Sequence, residues 1–375
     1  MKIVSVVGTR PQLIEAAALL PELRKRQAVV LVDTGQHWDE RMAGAFFAEL
    51  GLPHPDHALG VGGGGHAAQT GRMLAALEPV LEAEAPDAVL VYGDTNSTLA
   101  GTLAAAKLGI PVAHVEAGLR SFDRRMPEEI NRIVADHLAT WCFAPTPTAV
   151  ANLAHEGITA GVVEVGDLMQ DLAARIAAEL RDPAALVPAA DALADAGAPG
   201  LAGTLTPGAF IFATIHRAEN REPAGLAAWP AILADAARPE RPVILALHPG
   251  TRAALDASGV VLPPGVKVVE PLGYRTSLTL QLHAAAVVTD SGGVQREAAW
   301  LGTPCLVLRS TTEWVEAVAG SSGRMVVVGL NRALAARELA RIAPADAPVR
   351  AAARAGGLDL APAGAGRRIA EALGS

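Results

Sequence analysis

The feature that most constrains the fold of this chain is a regular alternation of short apolar runs with longer segments of helical periodicity. The runs are continuous in Val, Ile, Leu and Ala, which is typical of strands that are covered on both faces. Strand–helix alternation of this kind predicts parallel sheets with helices on both sides. In the first half the predicted strands are Lys2–Val7, Val29–Val32, Ala88–Tyr92 and Val112–Val115.

The same alternation starts again after about residue 205. Residues 182–208 are rich in Ala, Pro and Gly and lack strand character, so we expect a helical loop there. We place a hinge near Val165-Gly166-Asp167. The sequence therefore predicts two doubly wound α/β domains, residues 1–166 and 167–360, that face each other across a cleft. The predicted strands of the second half are Phe210–Ile215, Val243–Leu247, Val266–Val269, Ala285–Val288, Cys305–Leu308 and Met325–Val328.

Composition narrows the class of protein. A length of 375 residues favours two domains, and 51% hydrophobic against 19% charged residues excludes intrinsic disorder. A net charge of −8 argues against a general nucleic-acid binder but allows a small anionic ligand. Cys142 and Cys305 lie in apolar runs, which favours buried reduced thiols over a disulfide framework or a zinc site. We expect a cytoplasmic protein, because no run approaches the roughly 20 apolar residues of a membrane span and no signal peptide is recognisable.

In open α/β sheets, ligands bind beyond the carboxyl ends of the strands. Small, polar or charged residues follow nearly all the predicted strands of this chain. In a protein with a net negative charge, cations concentrated at these strand ends predict an anionic ligand such as a diphosphate. The cations at or just past strand ends are Arg10, Arg120, His216, Arg217 and His248.

The clearest predicted anion site is the turn Ser291-Gly292-Gly293, between a strand and a helix. A Gly pair that opens a helix exposes backbone N–H groups at the positive end of the helix dipole, which suits a phosphate or diphosphate. Glu297, one turn into that helix, could accept hydrogen bonds from two sugar hydroxyls. The alternative interpretation is an ordinary strand–turn–helix in which Gly allows close packing.

Carboxylates are the candidate catalytic groups. Asp94 and Glu116 end neighbouring predicted strands, and Glu128 follows Pro127 at a predicted helix N-terminus. Acidic residues after an N1 proline are also favourable helix-starting residues, so we interpret Glu129 as capping and keep both interpretations of Glu128. Three carboxylates do not help to bind an anion. They are useful if protons must be moved at a carbon centre.

Together these motifs resemble the non-hydrolysing UDP-N-acetylglucosamine 2-epimerases. The resemblance runs from residue 1 to about residue 330 and implies a GT-B-like fold with two Rossmann-type domains. It also implies a C-terminal helix within residues 361–375 that crosses back to the first domain, a homodimer, and neither a metal nor a nicotinamide or other cofactor. The matching motifs are Gly8–Pro11, Gly35–His37, Gly93–Thr95, His114–Arg120, Pro127–Arg132, His216-Arg217, Thr289–Gln295 with Glu297, and Arg309 with Thr312-Glu313.

The resemblance also implies the reaction. UDP leaves C1 of UDP-N-acetylglucosamine as a base removes the C2 proton, which gives a 2-acetamidoglucal, and UDP adds again after protonation of the other face. The implied catalytic residues are Asp94, Glu116, Glu128 and His216. The residues expected to bind UDP and substrate are Arg10, Arg120, Arg217, His248, Ser291, Gly292, Gly293, Glu297 and Arg309.

Alternatives stay open at this point. Residues 35–39, 165–167 and 312–316 resemble the subgroup that includes epimerases of UDP-2,3-diacetamido-2,3-dideoxyglucuronate, so that compound or another UDP-2-acetamido sugar is the alternative substrate. Glu15 stands where the family usually has Lys, which motivates a further alternative, a non-catalytic UDP-sugar-binding protein. A hydrolysing variant would release the free sugar. A GT-B glycosyltransferase would not need the three carboxylates together.

Overall fold

A computed structural model describes residues 1–36, 47–201, 205–312, 314–342, 347–348, 351, 354 and 363–374. The chain divides into two compact units. The first unit comprises residues 1–172 together with residues 361–375, and the second comprises residues 173–360. The change from one unit to the other falls inside a helix, six residues after the boundary expected from sequence.

The first unit contains a parallel sheet with seven described strands in the order β3-β2-β1-β4-β5-β6-β7. The strands are β1 (Lys2–Val7), β2 (Ala28–Asp33), β3 (His57–Ala58), β4 (Ala88–Tyr92), β5 (Val112–Val115), β6 (Trp141–Ala144) and β7 (Val162–Glu164). The described helices that begin in this unit are α1 (Arg10–Leu23), α2 (His66–Glu84), α3 (Asn96–Lys107), α4 (Pro127–Leu138), α5 (Pro147–His155), α6 (Leu168–Leu180) and, later in the chain, α14 (Ala365–Ala372).

The second unit contains a parallel sheet with six described strands in the order β10-β9-β8-β11-β12-β13. The strands are β8 (Ile211–Ile215), β9 (Val243–Leu247), β10 (Val266–Val269), β11 (Ala286–Thr289), β12 (Cys305–Val307) and β13 (Met325–Val327). The described helices are α7 (Leu186–Asp195), α8 (Pro223–Ala236), α9 (Pro249–Ser258), α10 (Tyr274–His283), α11 (Gly292–Trp300), α12 (Val315–Gly320) and α13 (Arg332–Ile342).

Both sheets are doubly wound, as the sequence predicts. Successive residues of β1 and of β11 are buried because helices cover both faces of each sheet. This burial on both faces explains why the apolar runs are continuous. Strand order reverses between β1 and β4 in the first sheet and between β8 and β11 in the second. These reversals are the topological switch points at which open α/β sheets bind ligands beyond the carboxyl ends of their strands.

The helix near the end of the chain packs within the first unit. Gln27, just after α1, donates to the carbonyl of Ala370 in α14 over 3.3 Å. Asp171 in α6 accepts the backbone N–H groups of Gly364 and Gly366 at 2.7 and 2.9 Å. Ile369 is fully buried. The helix expected from sequence within residues 361–375 is therefore formed, and it covers α1.

The structure adds elements that the sequence did not predict. Strands β3, β6 and β7 extend the two ends of the first sheet. The helical loop expected over residues 182–208 contains α7 and two short 3₁₀ helices, 183–185 and 199–201. In the part of the chain that the structure describes, no helix combines the length and apolarity that a membrane span requires.

Candidate active site

The switch point of the first sheet begins at Gly8, directly after β1. A Cβ atom on Gly8 would lie 2.1 Å from Thr34 Oγ1 and 2.3 Å from Ser97 Oγ, so only glycine fits. The Thr34 and Ser97 hydroxyls are hydrogen-bonded to each other at 2.8 Å. The absence of a side chain at Gly8 thus lets the ends of β1 and β2 approach the first turn of α3.

The turn after β4 is tied to both neighbouring helices. Thr95 caps α3, because its Oγ1 accepts the N–H of Thr98 (3.3 Å) while Thr98 Oγ1 accepts the N–H of Thr95 (3.1 Å). Gln12 of α1 donates from Nε2 to the carbonyl of Tyr92 (2.7 Å) and to Thr95 Oγ1 (2.9 Å). The turn that carries Asp94 is thereby held from two sides.

Arg10 is the first residue of α1 and lies at the carboxyl edge of the first sheet. Burial lowers the pKa of its guanidinium from the ordinary value, and the charge of Glu49 offsets part of that shift. A contact between Arg10 and UDP stays a prediction.

Asp94 lies in the turn after β4 and is held by α4. Arg132, which is almost fully buried, donates to Asp94 Oδ2, and it also donates to Glu129 Oε2 at 2.9 Å. Asn131 donates to the backbone carbonyl of Asp94 over 2.9 Å. The Asp94 side chain keeps 33% of its surface exposed, so one carboxylate of the candidate site is both oriented and accessible.

Glu116 follows β5 in an unusual backbone conformation. Its φ angle is +64°, in the left-handed region that residues other than glycine rarely adopt. Such conformations persist only where the surrounding structure enforces them, and they are frequent at functional sites. A Cβ atom on Gly93 would lie 3.5 Å from Glu116 Oε2, so the Glu116 carboxylate lies against the turn that carries Asp94. The structure brings these two predicted residues together.

The neighbouring acidic pair of α4 divides into two roles. Glu129 is buried and accepts the backbone N–H groups of Ser121 (2.8 Å) and Phe122 (2.9 Å), so it anchors the preceding loop. The capping interpretation of Glu129 is therefore replaced by a structural role on that loop. Glu128 is half-buried in the first turn of α4 and forms no side-chain hydrogen bond with a described residue.

Arg120 has protein carboxylates as partners. Its guanidinium pairs with Asp136 and with Glu156, each at 2.7 Å. Burial opposes the charge, yet the hydrogen bonds to Glu156 and Asp136 raise the pKa of Arg120. The side chain is 1% exposed, so the described contacts make it part of the core of the first unit. A role for Arg120 in binding UDP stays a prediction that these contacts do not support.

The switch point of the second sheet is organised by Asp290, a fully buried residue directly after β11. Its carboxylate accepts the backbone N–H groups of His216 (3.0 Å) and Arg217 (3.0 Å) and the side-chain amide of Asn220 (2.8 Å). His216 Nδ1 lies 3.1 Å from Asp290 Oδ1. Although burial opposes ionisation, hydrogen bonding and the charge of His216 lower the pKa of Asp290.

The strand–turn–helix expected around Ser291–Gly293 is present at the same switch point as His216, and anion binding there stays a prediction. Ser291 caps α11, and its Oγ faces the N–H of Val294 at 3.5 Å. Gly292 and Gly293 form the first turn of α11, where backbone N–H groups lack partners within the helix. Glu297 is buried and accepts a hydrogen bond from Gln281 in α10, so its carboxylate already has a protein partner.

The remaining predicted residues lie at other strand ends of the second unit. His248 is exposed and caps α9, where its Nδ1 accepts the N–H of Gly250 at 3.1 Å. Arg309 is nearly buried, two residues beyond β12. Arg217 follows β8 beside His216 and is half-buried. The motif residues His37 and Glu313 lie outside the described residues.

Sequence reasoning missed the residues that hold the candidate groups. His114, Arg132 and Asp290 lie within the family motifs, which assign them no role, while Asn220 and Asp136 have no distinguishing signal. Their partners are far away in sequence, so only the fold reveals them. Among the described residues, no cluster of three or more His, Cys, Asp or Glu side chains could hold a metal ion.

Two doubly wound parallel sheets, each with polar groups at its switch point, give the chain the GT-B-like fold of the solved structures that it resembles. A family model described as UDP-N-acetylglucosamine 2-epimerase matches residues 21–373. The chain belongs to this family of isomerases, as the sequence motifs indicated.

Similar proteins are known in bacteria and archaea. The UDP-2,3-diacetamido-2,3-dideoxy-D-glucuronate 2-epimerase of Pseudomonas aeruginosa is 44% identical over 338 residues, which are 88% of this chain and 89% of that protein. A UDP-N-acetylglucosamine 2-epimerase of Methanocaldococcus jannaschii is 38% identical over 349 residues, 88% of this chain and 89% of that protein. The crystal structure of Methanocaldococcus jannaschii UDP-GlcNAc 2-epimerase, in complex with UDP-GlcNAc and UDP, superposes with a TM-score of 0.84 at 34% identity, over 100% of this chain and 99% of that chain.

Proposed function

We propose that this protein interconverts UDP-N-acetylglucosamine and UDP-N-acetylmannosamine by elimination and re-addition of UDP. The observation that carries the proposal is the pair of carboxylates at the first switch point, where Glu116 Oε2 lies against the turn of Asp94. Proton transfer at carbon needs acid–base side chains held within reach of the proton that moves. Family membership and the identities above support the same reaction.

The chemistry requires more than one carboxylate. The C2 proton of the sugar is not next to a carbonyl group, so a base removes it while the C2–H electrons form a C1–C2 double bond. The C1–O bond breaks, and its electrons leave with the diphosphate of UDP. In the second half of the reaction, the intermediate is protonated at C2 on the opposite face and UDP adds to C1. Inversion therefore needs groups that reach both faces, for which we propose Asp94, Glu116 and Glu128.

The second unit is the proposed UDP-binding unit. The N-terminus of α11 at Ser291–Gly293 supplies backbone N–H groups and the positive end of a helix dipole, which suit a diphosphate. His216, oriented by Asp290, is proposed to stabilise the charge on the departing diphosphate. The further residues proposed to contact UDP or the sugar are Arg10, Arg217, His248, Glu297 and Arg309.

A second substrate is favoured by one observation. The Pseudomonas aeruginosa relative, at 44% identity, acts on UDP-2,3-diacetamido-2,3-dideoxy-D-glucuronate. The same elimination can operate on that compound, because the reacting atoms C1 and C2 carry the same groups. We therefore propose it as the alternative substrate.

The proposal also includes a homodimeric, cytoplasmic enzyme in which residues 1–166 supply the acid–base groups and residues 167–360 bind UDP.

The test is incubation of the protein with UDP-N-acetylglucosamine in heavy water, followed by proton NMR, with a parallel incubation of the diacetamido-glucuronate compound. The proposal expects the manno isomer with deuterium at C2 and an intact UDP linkage. Free sugar would show that the protein is a hydrolase. Turnover of the diacetamido-glucuronate compound alone would identify the alternative substrate. If neither compound shows exchange at C2 but calorimetry detects UDP binding, the protein is a non-catalytic UDP-sugar-binding protein.

A further inference from the structure

A buried histidine–aspartate pair lies behind the two candidate carboxylates of the first unit. Nδ1 of His114, in β5, is 2.7 Å from Asp136 Oδ1, in α4, and both side chains are fully buried. Nε2 of His114 is 2.7 Å from the backbone carbonyl oxygen of Gly93. Both residues lie outside the groups that the proposed reaction uses directly.

The contacts of this pair determine where its proton lies. A carbonyl oxygen can only accept, so His114 must donate from Nε2 to Gly93. Asp136 also accepts from Arg120 at 2.7 Å and from the N–H of Gly118 at 3.0 Å, which favours its ionised form. Burial opposes charge on the imidazole, yet the Asp136 carboxylate and the Gly93 carbonyl raise the pKa of His114. Both ring nitrogens of His114 therefore face acceptors, an arrangement that favours the charged imidazolium.

The same pair fixes both turns that carry the candidate carboxylates. His114 contacts the carbonyl oxygen of Gly93, the residue before Asp94, and the φ angle of Gly93 is +58°. Asp136 accepts the N–H of Gly118, two residues after Glu116, and the φ angle of Glu116 is +64°. One buried ion pair thus contacts the turns that follow two neighbouring strands. A shift of that pair would move the two carboxylates relative to each other.

We propose that His114, held by Asp136, is a positioning residue that sets the spacing of Asp94 and Glu116 for proton transfer at C2 of the sugar. The inference rests on the proposed epimerase function and adds two residues to it. The pair lies in the first unit, whereas the proposed UDP site at Ser291–Gly293 lies in the second. Its loss should therefore lower turnover without lowering the affinity for UDP.

The test uses the full-length protein and the variants His114→Gln and His114→Asn. Gln can still donate to the Gly93 carbonyl, and Asn can still reach Asp136, so each keeps one of the two contacts. His155→Asn, at an exposed histidine of α5, is the matched control. The measurement in heavy water is the ratio of deuterium at C2 of recovered substrate to deuterium at C2 of the epimer. When every variant is sampled at the same low conversion, this ratio does not depend on the amount of active enzyme, so partial unfolding alone cannot change it.

We expect kcat to fall by about 100-fold in both His114 variants, the loss associated with a misplaced catalytic group, while the Kd for UDP stays unchanged. The deuterium ratio should rise severalfold, more in His114→Asn than in His114→Gln, because an intermediate between misplaced carboxylates returns more often to substrate. The control should match the wild type.

An unchanged ratio in both variants would overturn the proposal, as would a loss of turnover that matches a loss of UDP-binding sites. Asp136→Asn provides a third variant, and failure of all three to fold would mean that the pair serves folding rather than positioning. Failure of the proposed function is a different result, because the wild type itself would then show no exchange at C2.

Discussion

The imidazole of His216 is fixed by Asp290, whose carboxylate lies 3.1 Å from Nδ1 and accepts the backbone N–H of the same histidine at 3.0 Å. Because Nδ1 faces this carboxylate, Nε2 points away from it. The His216 side chain is 40% exposed, whereas that of Asp290 is fully buried. The second switch point thus presents one ring nitrogen in a fixed direction, beside the N-terminus of α11.

Asp290→Asn should reduce kcat while the protein remains folded. Four donor groups converge on the carboxylate, and an amide of the same shape can accept from fewer of them, so the His216 ring loses its orientation. We expect kcat to fall by about 100-fold, the lower end of the effect of an acid–base group. Steady-state kinetics and a UDP titration test this, with Asp256→Asn, at an exposed position of α9, as the control. Turnover equal to that of the control would contradict the role of Asp290.

Asp94→Asn should abolish exchange at C2 and leave the affinity for UDP nearly unchanged. The carboxylate is proposed to move a proton, and its replacement by an amide should cost about 10²–10⁴-fold in rate. UDP is proposed to bind the other unit, so its Kd should not respond. The control is Asp87→Asn, because Asp87 precedes β4 at the opposite, amino end of the strand, where it accepts the N–H of Lys2. Normal exchange in Asp94→Asn would remove Asp94 from the mechanism.

Gly8→Ala should destabilise the first unit. The added Cβ atom would lie 2.1 Å from Thr34 Oγ1 and 2.3 Å from Ser97 Oγ, so both hydroxyls must move. We expect the free energy of unfolding to fall by about 1–3 kcal/mol, as for an overpacked core. Gly71→Ala is the control, because Gly71 lies inside α2 with no atom within 4 Å of its added Cβ, and it should stabilise by up to about 1 kcal/mol. Urea unfolding measures both, and equal effects would refute the packing argument.

The His114–Asp136 pair should make stability depend on pH in a specific direction. The pKa of folded His114 is raised, so its contribution is complete below the ordinary histidine pKa of about 6.5 and is lost as pH rises through the folded pKa. The unfolding free energy of the wild type should therefore exceed that of His114→Gln most between about pH 5 and 6.5, and the difference should shrink at higher pH. A difference in urea unfolding that does not shrink as pH rises above about 6.5 would contradict a charged imidazole in the folded protein.

Both thiols should resist alkylation in the folded protein. Burial raises the pKa of Cys142 and of Cys305 to about 12, so neither thiol forms an appreciable amount of thiolate near pH 8. We expect no labelling by iodoacetamide in buffer and labelling of both residues in urea, as measured by mass spectrometry. Rapid modification of the native protein at either position would show that the corresponding strand opens.

The strands of the second sheet and the central strands of the first could be predicted from sequence, and three outer strands of the first sheet could not. Ala88–Tyr92 and Val243–Leu247 agree with the structure at both ends, because a continuous apolar run of five residues is a strong local signal. β3 and β7 contain two and three residues that are at most partly buried, and β6, although as long as β5, has the sequence WCFA without Val or Ile. Such strands form because a neighbouring strand offers hydrogen bonds, which is a tertiary effect.

The candidate carboxylates could be chosen from sequence, but their surroundings could not. Asp94 and Glu116 follow predicted strands, so the topology alone places them at one edge of a sheet. The contact between Arg132 and Asp94 spans 38 residues, and that between Asp136 and His114 spans 22. Local patterns hold no information on pairs that form only when α4 packs against the sheet.

The packing of α14 against α1 has a consequence for synthesis of the protein. Gln27 meets Ala370 across 343 positions of the chain. The apolar flank of α1 therefore emerges from the ribosome long before the helix that will cover it is made. During that interval the amino-terminal sheet can form, yet one side of it stays open to chaperones or to a neighbouring nascent chain. Completion of the first unit must therefore wait for α14, although its seven described strands are translated before the strands of the second unit.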